Sequence, residues 1–301
     1  MGYLFRLGLW LARWPGPRLA RRISSLAAWI LDTTNSQTAQ VTRVNIEYCL
    51  THLSASERTT LVRDSLRNLV LLIFEFAQLA YMPERKLLDQ IRSVQGKELL
   101  DEAYQSGRGV LLLVPHYGNW ELLCAFLGAH YNFAALYDPP KIASLEQVIL
   151  DARQRFRGEM FPIDTGGMRS LFKVLRQGKL IVILPDQVPD RKGGVYADFF
   201  GHPALTMTLV NRIVNKNAPV VLLGSVARLA PNIDLENELS YQLCFEGLAE
   251  PLAGPDTEAC AKIMNEAIEN VVLRNPAQYQ WQYKRFKRPP GNAGENIYRR
   301  Q

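Results

Sequence analysis

Cysteine and histidine are both scarce in this chain of 301 residues, which contains four of each. The cysteines (Cys49, Cys124, Cys244 and Cys260) lie far apart and form no Cys-x-x-Cys pair, so the sequence predicts neither a structural zinc site nor a disulfide framework. The Gly-x-Ser-x-Gly, Walker, Gly-x-Gly-x-x-Gly and His-Glu-x-x-His motifs are also absent. We therefore expect reduced thiols, no metal ion, no bound cofactor and no serine nucleophile.

Long apolar runs are absent as well. A helix needs roughly 18 or more apolar residues to span a bilayer. The apolar residues between Tyr3 and Leu31 are interrupted by five arginines and by the break at residues 14–17. Arg13 also divides the apolar core that a signal peptide would need. We expect neither a transmembrane helix of ordinary length nor a signal peptide.

Acidic residues are missing from the first 31 positions, which gives that segment a net charge of +5. The last 21 residues also sum to +5, and since the whole chain carries +6, the body between them sums to −4. Basic ends of this kind suit an anionic partner, such as a membrane surface, phosphates or an acidic protein.

Three tryptophans lie beside the N-terminal arginines, at Trp10, Trp14 and Trp29. Trp at an apolar–polar boundary next to Arg is typical of helices that lie in a membrane interface. The pattern predicts two short amphipathic interfacial helices around the Pro-Gly-Pro break. A helical hairpin that packs on the core with an Arg-rich outer face is the alternative.

The remaining sequence predicts a helical segment followed by alternating strands and helices. Residues 1–107 are expected to be helical, with a long helix from Ser54 to Met82 that begins with a capping signal. Strands are predicted at 110–114, 133–137, 180–184, 220–226 and 241–245, and helices at 119–129, 145–157, 168–176, 206–216 and 257–274. Such alternation predicts an α/β fold with a mostly parallel central sheet flanked by helices. We expect membrane-associated helices over residues 1–52 and one catalytic domain over residues 53–301.

The strongest chemical signal follows the first strand of this alternation. Val110 to Val114 is a continuous apolar run, and the sequence Pro-His-Tyr-Gly-Asn-Trp-Glu follows it. Ligands of open α/β sheets bind beyond the carboxyl ends of strands, where His116 is expected. With Asn119 as N-cap, Glu121 falls in the first helical turn and can orient the His116 ring as a general base. A capping histidine beside a solvent-facing Glu is the alternative.

These residues resemble the catalytic block of the bacterial lipid A biosynthesis acyltransferases, the late acyltransferases of the lauroyl and myristoyl type, within the glycerol-phosphate acyltransferase-like superfamily. Further blocks resemble the same family in the same order. With the block from His116 to Glu121 included, the order along the chain is Thr42-Arg-Val-Asn45-Ile, His116 to Glu121, Arg153-Gln-Arg155, Leu184-Pro-Asp186-Gln187, the segment from Asp198 to Thr206, and the segment from Tyr279 to Pro289.

The resemblance implies transfer of a fatty acyl chain from acyl carrier protein to a hydroxyl of a lipid A precursor of the Kdo2-lipid IVA type. It implies His116 as general base with Glu121 as its partner, and no covalent intermediate. We expect Arg153 to bind an acceptor phosphate, Asp186 to orient Arg153 or a substrate hydroxyl, and Arg169 to meet phosphates. The family acts at the cytoplasmic face of the inner membrane, so we expect an anionic membrane as a partner.

The basic residues near the C-terminus, with Trp281 and Tyr283 interleaved, could also suggest nucleic acid. Against the family background we expect instead a membrane or an acidic carrier protein, no nucleic acid, and a monomer. The residues of this cluster are Lys284, Arg285, Lys287 and Arg288.

One position departs from the family pattern. Asp138 stands where the family usually has an arginine between Tyr137 and a proline, and Lys141 follows nearby. Two alternatives therefore stay open. One is an acyltransferase of the same superfamily that acts on a lysophospholipid, an aminolipid or another glycolipid, or that uses acyl-coenzyme A. The other is a membrane-surface binding protein without activity.

Overall fold

A computed structural model describes residues 2–139, 143–230, 238–291 and 296–299 of the chain. Its helices are α1 (Gly2–Ala12), α2 (Pro17–Thr33), α3 (Gln37–Cys49), α4 (Ala55–Tyr81), α5 (Glu84–Leu88), α6 (Lys97–Gln105), α7 (Leu123–His130), α8 (Ala143–Gln154), α9 (Thr165–Arg176), α10 (Leu209–Asn217) and α11 (Thr257–Arg274). Its strands are β1 (Ile91–Gln95), β2 (Val110–Leu113), β3 (Phe133–Tyr137), β4 (Glu159–Pro162), β5 (Leu180–Ile183), β6 (Gly194–Phe199), β7 (His202–Met207), β8 (Val220–Arg228) and β9 (Tyr241–Gly247).

A seven-stranded sheet in the order β1-β9-β8-β2-β5-β3-β4 forms the centre of the molecule. The five strands from β8 to β4 run parallel, whereas β9 runs antiparallel to β8 and β1 runs parallel to β9. This arrangement confirms the predicted α/β fold with a mostly parallel central sheet.

Helices cover both faces of this sheet, as its continuous apolar strands predict. In β2, Leu111 and Leu113 point into one apolar cluster together with residues of α9, α10 and α11. Val110 and Leu112 point into the other cluster, with residues of α6 and α7. All four side chains are fully buried, which fixes the position of the loop that follows β2.

The N-terminal helices pack on α4, the longest helix of the described residues. Ala28 of α2 and Ile46 of α3 lie in the same apolar cluster as Val62 of α4. Ser54 caps α4 through the predicted reciprocal bonds with Glu57. No helix within the described residues is both long enough and apolar enough to cross a membrane.

Three parts of the secondary-structure prediction were wrong. Residues 91–95 form β1 rather than helix, and 159–162 form β4. Both are short edge strands of the sheet and are partly exposed, and neither has the fully buried run of residues seen in β2 and β5. Residues 206 and 207 belong to β7, which pairs with β6 in a separate hairpin, and α10 begins only at Leu209.

The turn between β6 and β7 explains why the sequence did not indicate these two strands. Phe200 and Gly201 form a two-residue turn with φ of 50° and 74°. Two central residues with positive φ define the type I′ turn, which usually carries Asn-Gly or Asp-Gly. A phenylalanine in the first position conceals that signal.

Candidate active site

The site lies where β2 and β5 end side by side. The two strands pair in parallel, with Leu113 opposite Ile183. Each continues through an aliphatic residue and a proline, so His116 and Asp186 occupy equivalent positions three residues beyond that pair. The strand register therefore places an imidazole and a carboxylate next to each other, although 70 residues separate them in the sequence.

Asp186 holds both the backbone and the ring of His116. One carboxylate oxygen accepts the backbone N–H of His116 at 2.8 Å, and the other lies 2.7 Å from Nδ1 of the ring. Burial of Asp186 favours its neutral form, but the charge and the hydrogen bonds of His116 outweigh burial and lower the pKa of the carboxyl. An ionised Asp186 only accepts hydrogen bonds, so it fixes the proton on Nδ1 and leaves Nε2 of the ring as a hydrogen-bond acceptor.

Glu121 has a different partner from the one expected. Both of its carboxylate oxygens accept hydrogen bonds from Arg153, at 2.9 Å from Nε and 2.5 Å from Nη2. The predicted contact between Glu121 and His116 is therefore replaced by two pairs, His116 with Asp186 and Glu121 with Arg153. The expectation that Asp186 orients Arg153 was wrong for the same reason.

The Glu121–Arg153 pair is largely enclosed, with 9% and 25% of the two side chains exposed. Burial opposes the charge on Arg153, but the carboxylate of Glu121 outweighs it and raises the pKa of the guanidinium. Bidentate pairing uses Nε and Nη2, and Nη1 has no hydrogen-bond partner among the described residues. Arg153 is thus a fixed cation whose free nitrogen can bind an anion.

Asn119 occupies the N-cap position of a 3-10 turn rather than of the α-helix that the sequence predicts. Its side chain makes no capping hydrogen bond, and a short 3-10 turn over Trp120–Leu122 precedes α7. The backbone N–H of Asn119 instead donates to the carbonyl of Val226 in β8 at 3.1 Å. The loop after β2 is therefore tied to the neighbouring strand rather than to its own helix.

Gly118 allows this close approach. Its φ is +61°, and a Cβ at this position would lie 1.7 Å from the carbonyl oxygen of Val226. Its N–H donates to the carbonyl of Gln278 at 2.9 Å, and the carbonyl of His116 accepts from the N–H of Gln280 at 3.0 Å. The segment around residue 280 thus forms one wall of the site.

Part of the basic cluster near the C-terminus is buried and holds the fold together. Arg285 was predicted to belong to a basic binding patch, but it is only 3% exposed. It donates to the carbonyl of Leu205 and to the hydroxyl of Thr206, at 2.7 and 2.8 Å, and so fastens the C-terminal segment to β7. Lys287 remains exposed.

Asn45 on α3 joins the same segment from the other side. Its amide nitrogen donates to the carbonyls of Trp281 and Tyr283, at 2.6 and 2.8 Å, and its oxygen accepts from the hydroxyl of Tyr298 at 2.6 Å. The Asn45 block that resembles the family pattern is therefore in direct contact with the wall of the site.

Arg169 lies apart from these pairs. It is exposed in the first turns of α9, which follows the edge strand β4. Because β4 is three strands from β2, the two strand ends are separated by about 14 Å at the usual strand spacing. Asp138 is exposed after β3, and Lys141 lies outside the described residues.

A shallow groove lies beside the His116 loop, between it and α4. Leu69, Leu72 and Trp120 contribute apolar surface, and Gln280 and Gln282 contribute amides. The Trp120 ring also meets the His116 ring edge to face, with 5.0 Å between centroids.

Sequence reasoning found four residues of this site but not their pairing. Two sequence signals could have shown the His116–Asp186 contact. Val-Pro-His and Leu-Pro-Asp each end an apolar run of the same length, and parallel neighbours bring such ends together.

The candidate site of this α/β protein thus consists of two pairs, His116 with Asp186 at the carboxyl ends of β2 and β5, and Glu121 with Arg153. A sequence profile of the bacterial lipid A biosynthesis acyltransferases matches residues 1–288, and the chain belongs to this family. It is therefore an acyltransferase, and the resemblance seen in the sequence is confirmed.

Several curated relatives are similar over most of the chain. The lipid A biosynthesis palmitoleoyltransferase of Escherichia coli (strain K12) is 30% identical over 286 residues, which cover 93% of this chain and 87% of that protein. The lauroyltransferase of the same strain is 24% identical and covers 84% of this chain and 80% of its own length. The phosphatidylinositol mannoside acyltransferase of Mycobacterium tuberculosis is 34% identical over 135 residues, or 43% of this chain and 42% of that protein.

Proposed function

We propose that this enzyme transfers a fatty acyl chain from the thioester of acyl carrier protein to a hydroxyl of a lipid A precursor of the Kdo2-lipid IVA type. The observation that carries the mechanism is the 2.7 Å contact between Asp186 and Nδ1 of His116, which leaves Nε2 as the base. Family membership supports the reaction class, and the names of the full-length relatives support the acceptor.

In this mechanism, Nε2 of His116 removes the proton of the acceptor hydroxyl while its oxygen attacks the thioester carbonyl. Asp186 stabilises the imidazolium that forms. The tetrahedral intermediate then expels the thiolate of the donor, which takes the proton back from Nε2. No bond to the protein forms at any step, so a serine or cysteine nucleophile is not needed.

Arg153 supplies the positive charge of the site. Glu121 holds the guanidinium in place through Nε and Nη2, and Nη1 is left to bind an acceptor phosphate. Glu121 is thus a positioning residue that acts through Arg153. An exposed Arg169 on α9 can meet a second, more distant phosphate of the same acceptor.

The N-terminal helices lie on an anionic membrane at the cytoplasmic face of the inner membrane in this proposal. Large apolar side chains of these helices are exposed, including Trp14 at 63% and Leu26 at 59%. Arg13 stacks on the rings of Trp10 and Trp14, at 4.9 and 4.8 Å from their centroids. Exposed aromatic and aliphatic groups beside cations match the headgroup region of an anionic bilayer.

One alternative acceptor has a specific observation in its favour. The mycobacterial relative is named for a phosphatidylinositol mannoside, and Asp138 stands at the position where the lipid A family usually has arginine. A glycerol-based glycolipid acceptor is therefore the second candidate. A protein without activity is not supported, because the chain belongs to an acyltransferase family.

The test uses the purified full chain with acyl-carrier-protein thioester and two acceptors, a tetra-acylated lipid A precursor and a phosphatidylinositol mannoside. We expect acylation of the first acceptor and a loss of about 10²–10⁴ in kcat for both His116→Ala and Asp186→Asn. The exposed His52, replaced in His52→Ala, is the matched control and should keep the wild-type rate. Acylation of the mannoside alone would select the alternative, and full activity of Asp186→Asn would refute the mechanism.

A further inference from the structure

The side-chain amide of Gln187 lies directly on the nitrogen that has to act as the base. Its Nε2 is 3.2 Å from Nε2 of His116 and 3.4 Å from Oε1 of Gln280. Gln187 follows Asp186 in the chain, and the next residue, Val188, donates its N–H to the hydroxyl of Tyr283 at 2.9 Å. The backbone on both sides of Gln187 is therefore anchored.

The chemistry of its neighbours fixes which end of the amide faces His116. Asp186 keeps the ring proton on Nδ1, so Nε2 of the neutral ring is an acceptor. The side-chain oxygen of Gln280 is an acceptor too. Only the NH2 group of Gln187 can satisfy both, and it donates one hydrogen bond to each.

The amide of Gln187 lies where the acceptor hydroxyl must bind during the reaction. The oxygen of the acceptor must come within about 2.6–3.2 Å of Nε2 to lose its proton, which is the space that the amide now occupies. When the hydroxyl takes the lone pair of His116, one N–H of Gln187 loses its acceptor. That N–H is then left beside the reacting oxygen and the carbonyl under attack.

We infer that Gln187 is a catalytic residue that donates this N–H to the oxyanion of the tetrahedral intermediate. The inference rests on the proposed function, since it concerns the same acyl transfer. A side-chain amide does not titrate, so its N–H donor is always present. Of the two hydrogen-bond partners of the His116 ring, Asp186 accepts and Gln187 donates.

The test replaces Gln187 with methionine, which has nearly the same length and shape but no N–H. We expect Gln187→Met to lower kcat by about 10²–10³, the usual loss for one oxyanion donor, with little change in KM for thioester or acceptor. Slow hydrolysis of the acyl thioester in the absence of acceptor passes through an oxyanion at the same carbonyl, so it should fall by the same factor.

Two further variants and a stability measurement complete the design. Gln40→Met carries the same substitution on α3, where the amide bonds only to the carbonyl of Asn35 among the described residues, and should behave as wild type. Gln187→His retains an N–H donor and should recover much of the lost kcat. Thermal unfolding followed by circular dichroism shows whether Gln187→Met is folded.

Three results would overturn the inference. If Gln187→Met keeps the wild-type kcat while His116→Ala is inactive, the amide is not a catalytic donor and the proposed function stands. If transfer falls but thioester hydrolysis does not, Gln187 recognises the acceptor instead. If the wild-type enzyme acylates neither acceptor, the proposed function fails together with the inference.

Discussion

At the scale of single residues, the structure forms two side-chain pairs, His116 with Asp186 and Glu121 with Arg153, where the sequence predicted one pair of His116 with Glu121. The spacing of five residues between His116 and Glu121 predicted a local pair, because both lie at a strand–helix junction. The structure instead joins each of them to a residue far along the chain. Local spacing shows that polar groups share a neighbourhood, but strand register decides which of them meet.

This division predicts non-additive effects at Glu121 and Arg153. Glu121→Ala leaves a largely buried guanidinium unpaired, so we expect a loss of about 3 kcal/mol in the free energy of unfolding and a large fall in kcat/KM. If Glu121 acts through Arg153, the double variant Glu121→Ala/Arg153→Ala should be no less active than Arg153→Ala alone.

Steady-state kinetics and urea unfolding of the three variants measure both effects. His116→Ala combined with Glu121→Ala serves as the control, because these residues belong to separate pairs. Strictly additive losses of transition-state stabilisation in the first pair would contradict the assignment of Glu121 as a positioning residue.

At the scale of elements, the loop between β2 and α7 depends on contacts with β8 and the C-terminal segment. The N–H groups of Gly118 and Asn119 donate to carbonyls of these two elements. The geometry of the site is thus set by the junction of three elements, the loop after β2, strand β8 and the C-terminal segment, rather than by the sequence from His116 to Glu121 alone.

Gly118→Ala should disturb this junction. The new Cβ would clash with the carbonyl of Val226, and the residue would keep a positive φ. We therefore expect the free energy of unfolding to fall by at least about 1 kcal/mol and the rate of acyl transfer to fall as well. Gly247→Ala at the end of β9 is the matched control, since its Cβ would have no neighbour within 4 Å. Thermal unfolding and the transfer assay check both variants, and equal behaviour of the two would count against the junction.

The buried central strands were predicted from the sequence, and several partly exposed strands were missed. The central strands β2, β3 and β5 have apolar runs, and α11 was predicted with its observed bounds, Thr257–Arg274. The edge strands β1 and β4 were missed because they are short and partly exposed, and β6 and β7 because Phe200 occupies a turn position normally held by Asn or Asp. Pairings such as His116 with Asp186 need the strand order, which a single sequence does not contain.

At the scale of the whole molecule, exposed apolar groups are concentrated on the N-terminal helices and the turn between them. Nine large apolar side chains of this region are more than a third exposed: Leu7, Trp10, Leu11, Trp14, Leu19, Ile23, Leu26, Trp29 and Ile30. Scattered apolar groups are ordinary, but a concentration of this kind marks an interaction surface.

The double variant Trp14→Ser/Trp29→Ser should therefore bind vesicles that contain anionic lipid more weakly than wild type, without loss of thermal stability. High salt should weaken binding of both proteins, because the arginines contribute through electrostatic attraction. Ile163→Ser is the control, since Ile163 is 59% exposed but follows β4 rather than lying on these helices. Co-sedimentation measures binding, and an undiminished bound fraction for the double variant would remove these helices from the membrane contact.

The contacts of Asn45 limit how this enzyme can be engineered. Trimming residues 1–52 to obtain a more soluble catalyst would delete the amide that satisfies the carbonyls of Trp281 and Tyr283. Each buried group left without a partner costs about 1–3 kcal/mol, and the neighbouring residue Gln280 holds the His116 loop. The N-terminal helices thus cannot be removed without cost, because residues 53–301 alone would lose part of the support of the loop that carries His116.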